Sequence, residues 1–201
     1  MKVGVMASGR GSNFQALIDA SQKGLMPDVE IIILIVNKKN AHAIKRAEKN
    51  DIEHKIITSD DKSREEFDQT VLNILKEKKI EVVVLAGFMR LLTPEFIAEY
   101  RNRILNIHPS LLPLFPGAHA HRDAVANGAK VSGCTAHFVD EGIDTGPIIM
   151  QRTVNIEHGE TEESLSKKIL PHEHEILPMV LQLLCSGKII LNGRDVEILP
   201  D

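Results

Sequence analysis

Val82-Val83-Val84-Leu85-Ala86 restricts the fold more than any other part of the chain, because none of its residues is polar. A strand with one face in water alternates apolar and polar side chains, whereas a strand covered on both faces is apolar throughout. Sheets covered on both faces occur mainly where helices pack on each side of parallel strands. The stretch therefore predicts a central strand of an α/β protein.

The same apolar pattern recurs on both sides of this strand. Strand-like runs cover Val3 to Met6, Val29 to Val36 and Ile104-Leu105, with a shorter one at Lys55 to Ile57, and segments of helical period lie between them. Strands that alternate with helices imply right-handed crossovers and a doubly wound, mostly parallel sheet. Such sheets bind ligands at the carboxyl ends of their strands.

The pattern changes after Ala118. A short helix that ends at Asn127-Gly128 is followed by strands from Val131 to Val139 and from Ile148 to Val154, and we expect these two strands to pair antiparallel. The sequence thus predicts antiparallel C-terminal strands on an otherwise parallel sheet.

A long helix is predicted from Glu162 to Leu184. Pro171 and Pro178 lie inside it, and proline removes a helical hydrogen bond and clashes with the preceding turn, so we expect a break or kink there. Beyond this helix, short apolar runs on each side of Asn192-Gly193 predict a β-hairpin.

Length and composition limit the class of protein. With 201 residues the chain is long enough for one domain with a full core, and we expect a single domain over residues 1–201. A net charge of −4 provides no basic surface for nucleic acid, so we expect small-molecule substrates and no nucleic-acid partner. We also expect a monomer or a weak homodimer.

The sequence also predicts a cytoplasmic protein. Cys134 and Cys185 lie among apolar or small residues, which indicates buried thiols in a reducing compartment. The longest apolar run, Ile31 to Val36, is far too short to span a membrane, so no membrane association is expected. The N-terminus begins directly with a strand pattern and not with a signal peptide.

The segment Asn106-Ile107-His108-Pro109-Ser110-Leu111-Leu112-Pro113 is the strongest candidate for chemistry. Residues two apart on a strand point to the same side, so the Asn106 amide and the His108 imidazole are expected together, and Pro109 favours an extended His108. An amide can donate to a developing oxyanion, and imidazole can move protons near neutral pH. The pair suits addition to a carbonyl; the alternative is that both residues only cap the strand.

The loop Ser8 to Asn13 lies between a predicted strand and a predicted helix, where free backbone N–H groups and the helix dipole favour a phosphate. Phe14 stands where a dinucleotide fingerprint has its third glycine, and the loop lacks the Gly-Lys-Ser/Thr end of a Walker loop. A single phosphomonoester is predicted; a tight turn with a Ser or Asn cap is the alternative.

Two further features of the sequence allow both a functional and a purely structural interpretation. Gly87 to Leu92 is apolar apart from Arg90 and can line a pocket for a flat ring, but taken alone its side chains fit a hydrophobic core better. Histidines at 119, 121 and 137, and the run His172-Glu173-His174, lack the spacing of a helical zinc site, and no cysteine pair supports zinc. We expect no metal.

Asn106-x-His108-Pro-Ser-Leu-Leu-Pro, followed by Asp144-Thr145-Gly146-Pro147, resembles the signature of the folate-dependent formyltransferases and formyl hydrolases. The resemblance extends from Met1 to about Cys185 and implies a Rossmann-like formyltransferase fold. It also implies an activity, the transfer of a formyl group from the co-substrate 10-formyltetrahydrofolate to the amine of glycinamide ribonucleotide in purine synthesis.

The resemblance assigns roles to individual residues. It implies that Asn106 donates to the oxyanion and that Asp144 holds His108 in its cationic form. It assigns the substrate phosphate and ribonucleotide to Gly11, Ser12, Asn13 and Glu173. It assigns the formyl-folate to Arg64, Phe88, Met89, Arg90, Leu91, Leu92, Asn106, Val139, Asp140 and Glu141. The acids of the turn from Val139 to Asp144 would equally suit a solvated loop.

Three alternatives stay open. A formyltetrahydrofolate hydrolase would use water in place of the amine, but such relatives usually carry an N-terminal regulatory domain that we expect this chain to lack. A methionyl-tRNA formyltransferase shares the Asn-x-His-Pro motif but is less similar at the first loop. A phosphate-binding regulator would use the first loop and leave Asn106, His108 and Asp144 without a joint role.

Overall fold

The structure, a computed structural model, describes residues 1–58 and 62–200. Its strands are β1 (Lys2–Ala7), β2 (Glu30–Val36), β3 (Glu53–Ile56), β4 (Val82–Leu85), β5 (Ile104–His108), β6 (Val131–Phe138), β7 (Ile148–Asn155), β8 (Ile189–Asn192) and β9 (Asp195–Ile198). Its helices are α1 (Ser12–Gln22), α2 (Ala43–Lys49), α3 (Arg64–Glu77), α4 (Pro94–Glu99), α5 (Ala120–Ala126) and α6 (Glu162–Cys185).

The larger sheet has seven strands in the order β3-β2-β1-β4-β5-β6-β7. Neighbouring strands from β1 to β5 run parallel, whereas β6 is antiparallel to both β5 and β7. A separate hairpin of β8 and β9 follows α6. The predicted α/β class, with a mostly parallel sheet and antiparallel C-terminal strands, is confirmed.

Strand β4 lies at the centre of this sheet, between β1 and β5, and all four of its residues are buried. Val82 and Val84 pack in the hydrophobic cluster that contains α1, whereas Val83 and Leu85 pack in the cluster that contains α3 and α4. Helices therefore cover both faces of β4, as its lack of polar residues predicts.

A break or kink is expected at Pro171 and Pro178; helix α6 is continuous over 24 residues, so the expected break is wrong. The helix packs against α1, β6 and β7, and six of its apolar side chains are fully buried: Leu165, Ile169, Ile176, Leu177, Val180 and Leu181. Burying one such side chain contributes roughly 1.5 to 3 kcal/mol. Together they outweigh the cost of two prolines, about 3 kcal/mol each.

The C-terminal hairpin is confirmed, but its turn lies one residue further along than Asn192-Gly193. Asn192 pairs with Asp195, so Gly193 and Arg194 form the two-residue turn. Gly193 has a φ of +66°, which glycine adopts without strain and which the first central position of a type II′ turn requires. Arg194 therefore lies at the tip of the hairpin.

Both cysteines are free thiols, with Cys134 buried and Cys185 half-buried. Burial raises the pKa of the Cys134 thiol to about 12 and that of Cys185 to about 11, so both stay protonated at neutral pH. Among the helices of the described residues, none is both long and apolar enough to cross a membrane.

Candidate active site

Strand β5 ends in the predicted pair of functional side chains. His108 is its last residue and is only 5% exposed, while Asn106 is half-buried two positions earlier. Both side chains approach the carboxylate of Asp144, which lies in the loop between β6 and β7. The structure thus brings together the three residues expected to be catalytic, although Asp144 is far from the other two in the sequence.

Both ring nitrogens of His108 face oxygen atoms. Nε2 lies 2.9 Å from the carbonyl oxygen of Phe115, and Nδ1 lies 3.3 Å from Oδ2 of Asp144. A carbonyl and a carboxylate oxygen accept hydrogen bonds and cannot donate them, so a proton on the facing nitrogen suits each contact. Both neighbours of the ring are therefore compatible with the imidazolium, in which each nitrogen carries a proton.

Asp144 is held by contacts on each of its carboxylate oxygens. Oδ2 also accepts a hydrogen bond from the backbone N–H of Gly117 at 2.8 Å, and Oδ1 lies 3.4 Å from Nδ2 of Asn106. Its backbone φ of +53° falls in the left-handed region, which costs a residue with a side chain free energy. Such a conformation persists only where the surrounding contacts enforce it.

His137 completes the cluster, and the sequence reasoning considered it only as a possible metal ligand. It is 1% exposed, and this burial lowers its pKa, so the ring is neutral. Nδ1–H donates to the Phe138 carbonyl at 2.7 Å, which leaves the Nε2 lone pair to accept from Nδ2 of Asn106 at 3.1 Å. His137 therefore fixes the orientation of the Asn106 amide.

One cavity of about 830 Å³ connects this cluster with the other predicted site residues. Its volume falls within the range of small-molecule sites. Every residue assigned to the site except Gly11 lines it: Ser12, Asn13, Arg64, Phe88, Met89, Arg90, Leu91, Leu92, Asn106, His108, Val139, Asp140, Glu141, Asp144 and Glu173. The structure therefore places the loop expected to bind phosphate and the stretch expected to bind folate in the same cavity.

The loop before α1 has the geometry of an anion site. Gly11, at the N-cap of α1, has a φ of +67° and offers the helix no side-chain cap. The N–H groups of the first turn are thus left for a ligand. The Asn13 side-chain amide does not cap the helix but donates a hydrogen bond to Oε2 of Glu173 on α6 at 2.7 Å. Burial raises the pKa of Glu173, and the bond from Asn13 opposes that effect in part.

The stretch after β4 divides between the core and the cavity surface. Phe88 and Leu92 are buried, whereas Met89 and Leu91 are 67% and 52% exposed. The guanidinium of Arg90 lies 4.4 Å from the ring centroid of Phe67, and its Nε is buried without a hydrogen-bond partner. The exposed Met89 and Leu91 and the unpaired Nε of Arg90 are features of a binding surface. Phe88 and Leu92 belong to the core.

The histidines that suggested a metal do not form a ligand set. Across residues 1–58 and 62–200, no three His, Cys, Asp or Glu side chains are grouped so that they could hold a metal ion. We predict that dialysis against a strong chelator leaves the activity of the protein unchanged. A loss that added zinc restores would contradict this prediction.

Replacing Glu173 with glutamine is expected to raise stability at neutral pH. The pKa of Glu173 is raised in the folded state, so ionising this carboxyl costs stability as the pH rises from the ordinary glutamate range through the folded-state pKa. Below the ordinary glutamate range the carboxyl is protonated in both states, and this loss of stability disappears. The variant should melt a few degrees higher at pH 7, since about 1 kcal/mol shifts the Tm of such a domain by roughly 2 to 4 °C.

Thermal unfolding of wild type and Glu173→Gln from pH 7 to pH 4 tests this, and the gap should close toward the acid end. Glu163→Gln, at an exposed position of the same helix, is the matched control. A gap that stays constant with pH would mean that burial of the charge is not its cause.

The chain matches the family model described as "Formyl transferase" over residues 1–181. It is 39% identical to the phosphoribosylglycinamide formyltransferase of Escherichia coli (strain K12) over 190 residues, which cover 94% of this chain and 89% of that protein. It is 45% identical to the trifunctional purine biosynthetic protein adenosine-3 of Chironomus tentans over 195 residues, 96% of this chain but only 14% of that protein.

A solved structure shows the same architecture. Glycinamide ribonucleotide transformylase 1 from Symbiobacterium toebii superposes with a TM-score of 0.97 at 39% identity, covering 100% of this chain and 94% of that one. With a family match over most of its length and a relative aligned over nearly its whole length, this chain belongs to the formyl transferase family.

Proposed function

We propose that the protein transfers a formyl group from 10-formyltetrahydrofolate to the primary amine of N1-(5-phospho-D-ribosyl)glycinamide in purine biosynthesis. The observation that carries this proposal is the shared cavity, which joins an uncapped helix N-terminus to the cluster of Asn106, His108 and Asp144. A substrate with a phosphate at one end and an amine at the other spans these two features. The E. coli relative carries the name of this activity.

The reaction follows from the groups in the cluster. The amine nitrogen attacks the formyl carbon, a C–N bond forms, and the carbonyl oxygen becomes an oxyanion. Nδ2 of Asn106 donates to it, giving up its long 3.4 Å contact with Asp144 and keeping the bond to His137. His108 as imidazolium supplies a second partner for the oxyanion, and this partner is positively charged.

Collapse of this intermediate breaks the bond between the formyl carbon and N10 of the folate. The attacking amine loses one proton, and N10 gains one, so the net proton count of the protein is unchanged. His108 gives up the contact between Nε2 and the Phe115 carbonyl and moves the proton between the two nitrogens, while the Asp144 carboxylate beside Nδ1 stabilises the ring in the cationic state. Glycinamide ribonucleotide thus leaves formylated and the folate leaves as tetrahydrofolate.

The remaining residues bind the two substrates in this proposal. The backbone of Gly11, Ser12 and Asn13 holds the phosphate at the start of α1, and Glu173 contacts the ribonucleotide. The folate lies along the surface from Phe88 to Leu92, with further contacts from these residues: Arg64, Val139, Asp140 and Glu141. The unpaired Nε atoms of Arg64 and Arg90 give this end of the cavity buried donors.

The decisive experiment follows tetrahydrofolate release from 10-formyltetrahydrofolate with and without glycinamide ribonucleotide. We expect release only when the amine is present, in equal amount to formylated product. Release in water alone would identify a hydrolase, for which the anion site at α1 has no use. An absence of release under both conditions would favour a phosphate-binding regulator.

A further inference from the structure

The tip of the C-terminal hairpin contacts the loop that carries Asp144. Nη2 of Arg194 donates a hydrogen bond to the backbone carbonyl of Thr145, and its Nη1 lies 3.8 Å from Oδ2 of Asp140. The hairpin lies beyond residues 1–181, which match the family model. One arginine therefore reaches the loop from a separate two-stranded sheet.

Asp140 organises the inside of the same loop. Its Oδ1 accepts hydrogen bonds from the Thr145 hydroxyl at 2.6 Å and from the Gly142 N–H at 3.2 Å. These bonds tie the beginning of the loop to its end, and the Arg194 guanidinium spans the same two residues from outside. The carboxylate of Asp140 is thus used within the protein and is turned toward the loop.

The conformation of the loop has to satisfy two contacts of Asp144 at once. Asp144 has a left-handed backbone, and its carboxylate must reach His108 and Gly117 at once. Displacement of the loop would break both contacts. Contacts on the outer side of the loop, where Arg194 binds, therefore favour the conformation in which Asp144 meets His108.

We propose that Arg194 is a positioning residue, which holds the 140–145 loop in the conformation that places Asp144 against His108. The β8–β9 hairpin thereby supports the 140–145 loop. The Arg194 side chain is 71% exposed, and its partners are Thr145 and Asp140. It is therefore not a catalytic residue. The expected effect of Arg194 on turnover rests on the proposed function, whereas its expected effect on the loop does not.

The test compares Arg194→Gln and Arg194→Lys with the wild type in the full-length protein. For Arg194→Gln we expect kcat to fall about threefold to tenfold with an unchanged KM for the ribonucleotide, since couplings through a supporting contact are of this size. Arg194→Lys should recover part of the loss, because an ammonium can donate to the Thr145 carbonyl or pair with Asp140.

Hydrogen exchange gives a readout that does not depend on activity. In Arg194→Gln the amides of residues 140–145, and the Gly117 amide bonded to Asp144, should exchange faster while the central sheet and the Tm stay unchanged. Arg152→Gln is the matched control, since this arginine also pairs with an exposed carboxylate, Glu175 at 3.4 Å, but lies outside the loop. It should leave kcat and loop exchange as in the wild type.

Unchanged loop exchange in Arg194→Gln, or an equal loss of kcat in Arg152→Gln, would overturn the inference. A general rise in exchange across the sheet would also overturn it, because that would show loss of fold stability and not of loop position. Failure of the proposed function gives a different result: the wild type would then transfer no formyl group, while exchange in the loop would still respond to Arg194→Gln.

Discussion

The Asp144→Asn variant is expected to lose about a hundredfold to ten-thousandfold in turnover, the range typical of groups that support proton transfer. In the wild type, Oδ2 of Asp144 accepts a hydrogen bond from the Gly117 N–H and lies 3.3 Å from Nδ1 of His108, while Oδ1 accepts from Nδ2 of Asn106 at 3.4 Å. An asparagine has one oxygen and one NH₂ group, so either orientation points a donor at another donor. The substitution also removes the carboxylate charge that lies 3.3 Å from Nδ1 of His108.

Substrate affinities should change far less than turnover, because the contact acts mainly in the transition state. Adding His108→Ala to Asp144→Asn should cost little more, since residues that act as a unit are not additive. Steady-state kinetics on the wild type, both single variants and the double variant test this, with circular dichroism to check folding.

Asp123→Asn, at a half-buried position of α5 that does not line the cavity, is the control and should keep wild-type turnover. If the two single losses multiply in the double variant, His108 and Asp144 act independently and the proposed pair is wrong.

The second large effect is expected at Gly11. A Cβ at this position would lie 2.6 Å from Cβ and 2.9 Å from Cα of Ala43 on α2, and the φ of +67° is unfavourable for any side chain. Gly11→Ala should therefore lose about 2 to 4 kcal/mol of stability, and the displaced loop should bind the ribonucleotide at least tenfold more weakly. Gly11→Val should lose more.

Calorimetry with each ligand separately, below the melting temperature of the variant, measures this effect. Folate affinity should be nearly unchanged, because the expected folate surface from Phe88 to Leu92 follows β4. Gly9→Ala is the matched control, since a Cβ at Gly9 meets no atom within 4 Å. Equal losses for both ligands in Gly11→Ala would indicate a general folding defect.

The sequence predicts those features of this protein that depend on local pattern. The all-apolar run of β4 is enough to place a central parallel strand, and the alternation along β5 is enough to put Asn106 and His108 on one side. The contact of Asp144 with His108 required a family resemblance, because no local pattern relates two residues so far apart. The structure places them 3.3 Å apart, and their catalytic roles remain a proposal.

Three features could not be predicted because they depend on long-range packing. His137 lies opposite Asn106 only through the antiparallel register of β5 and β6, and register is not visible in one strand. Helix α6 passes through Pro171 and Pro178 because its buried face outweighs them. The hairpin turn falls on Gly193-Arg194 because strand pairing, and not the Asn-Gly signal alone, sets the turn.

The bond from Asn13 to Glu173 joins residues 160 positions apart, one at the start of α1 and one in the last long helix. A nascent chain that has not yet folded α6 therefore lacks half of this contact, and the proposed ribonucleotide site is complete only in the fully folded protein. Any ligand that binds there and not to the unfolded chain stabilises the whole fold, by about 2.7 kcal/mol at a hundred times its Kd. If the ribonucleotide binds at this site as proposed, its supply would in this way stabilise the newly made protein against unfolding.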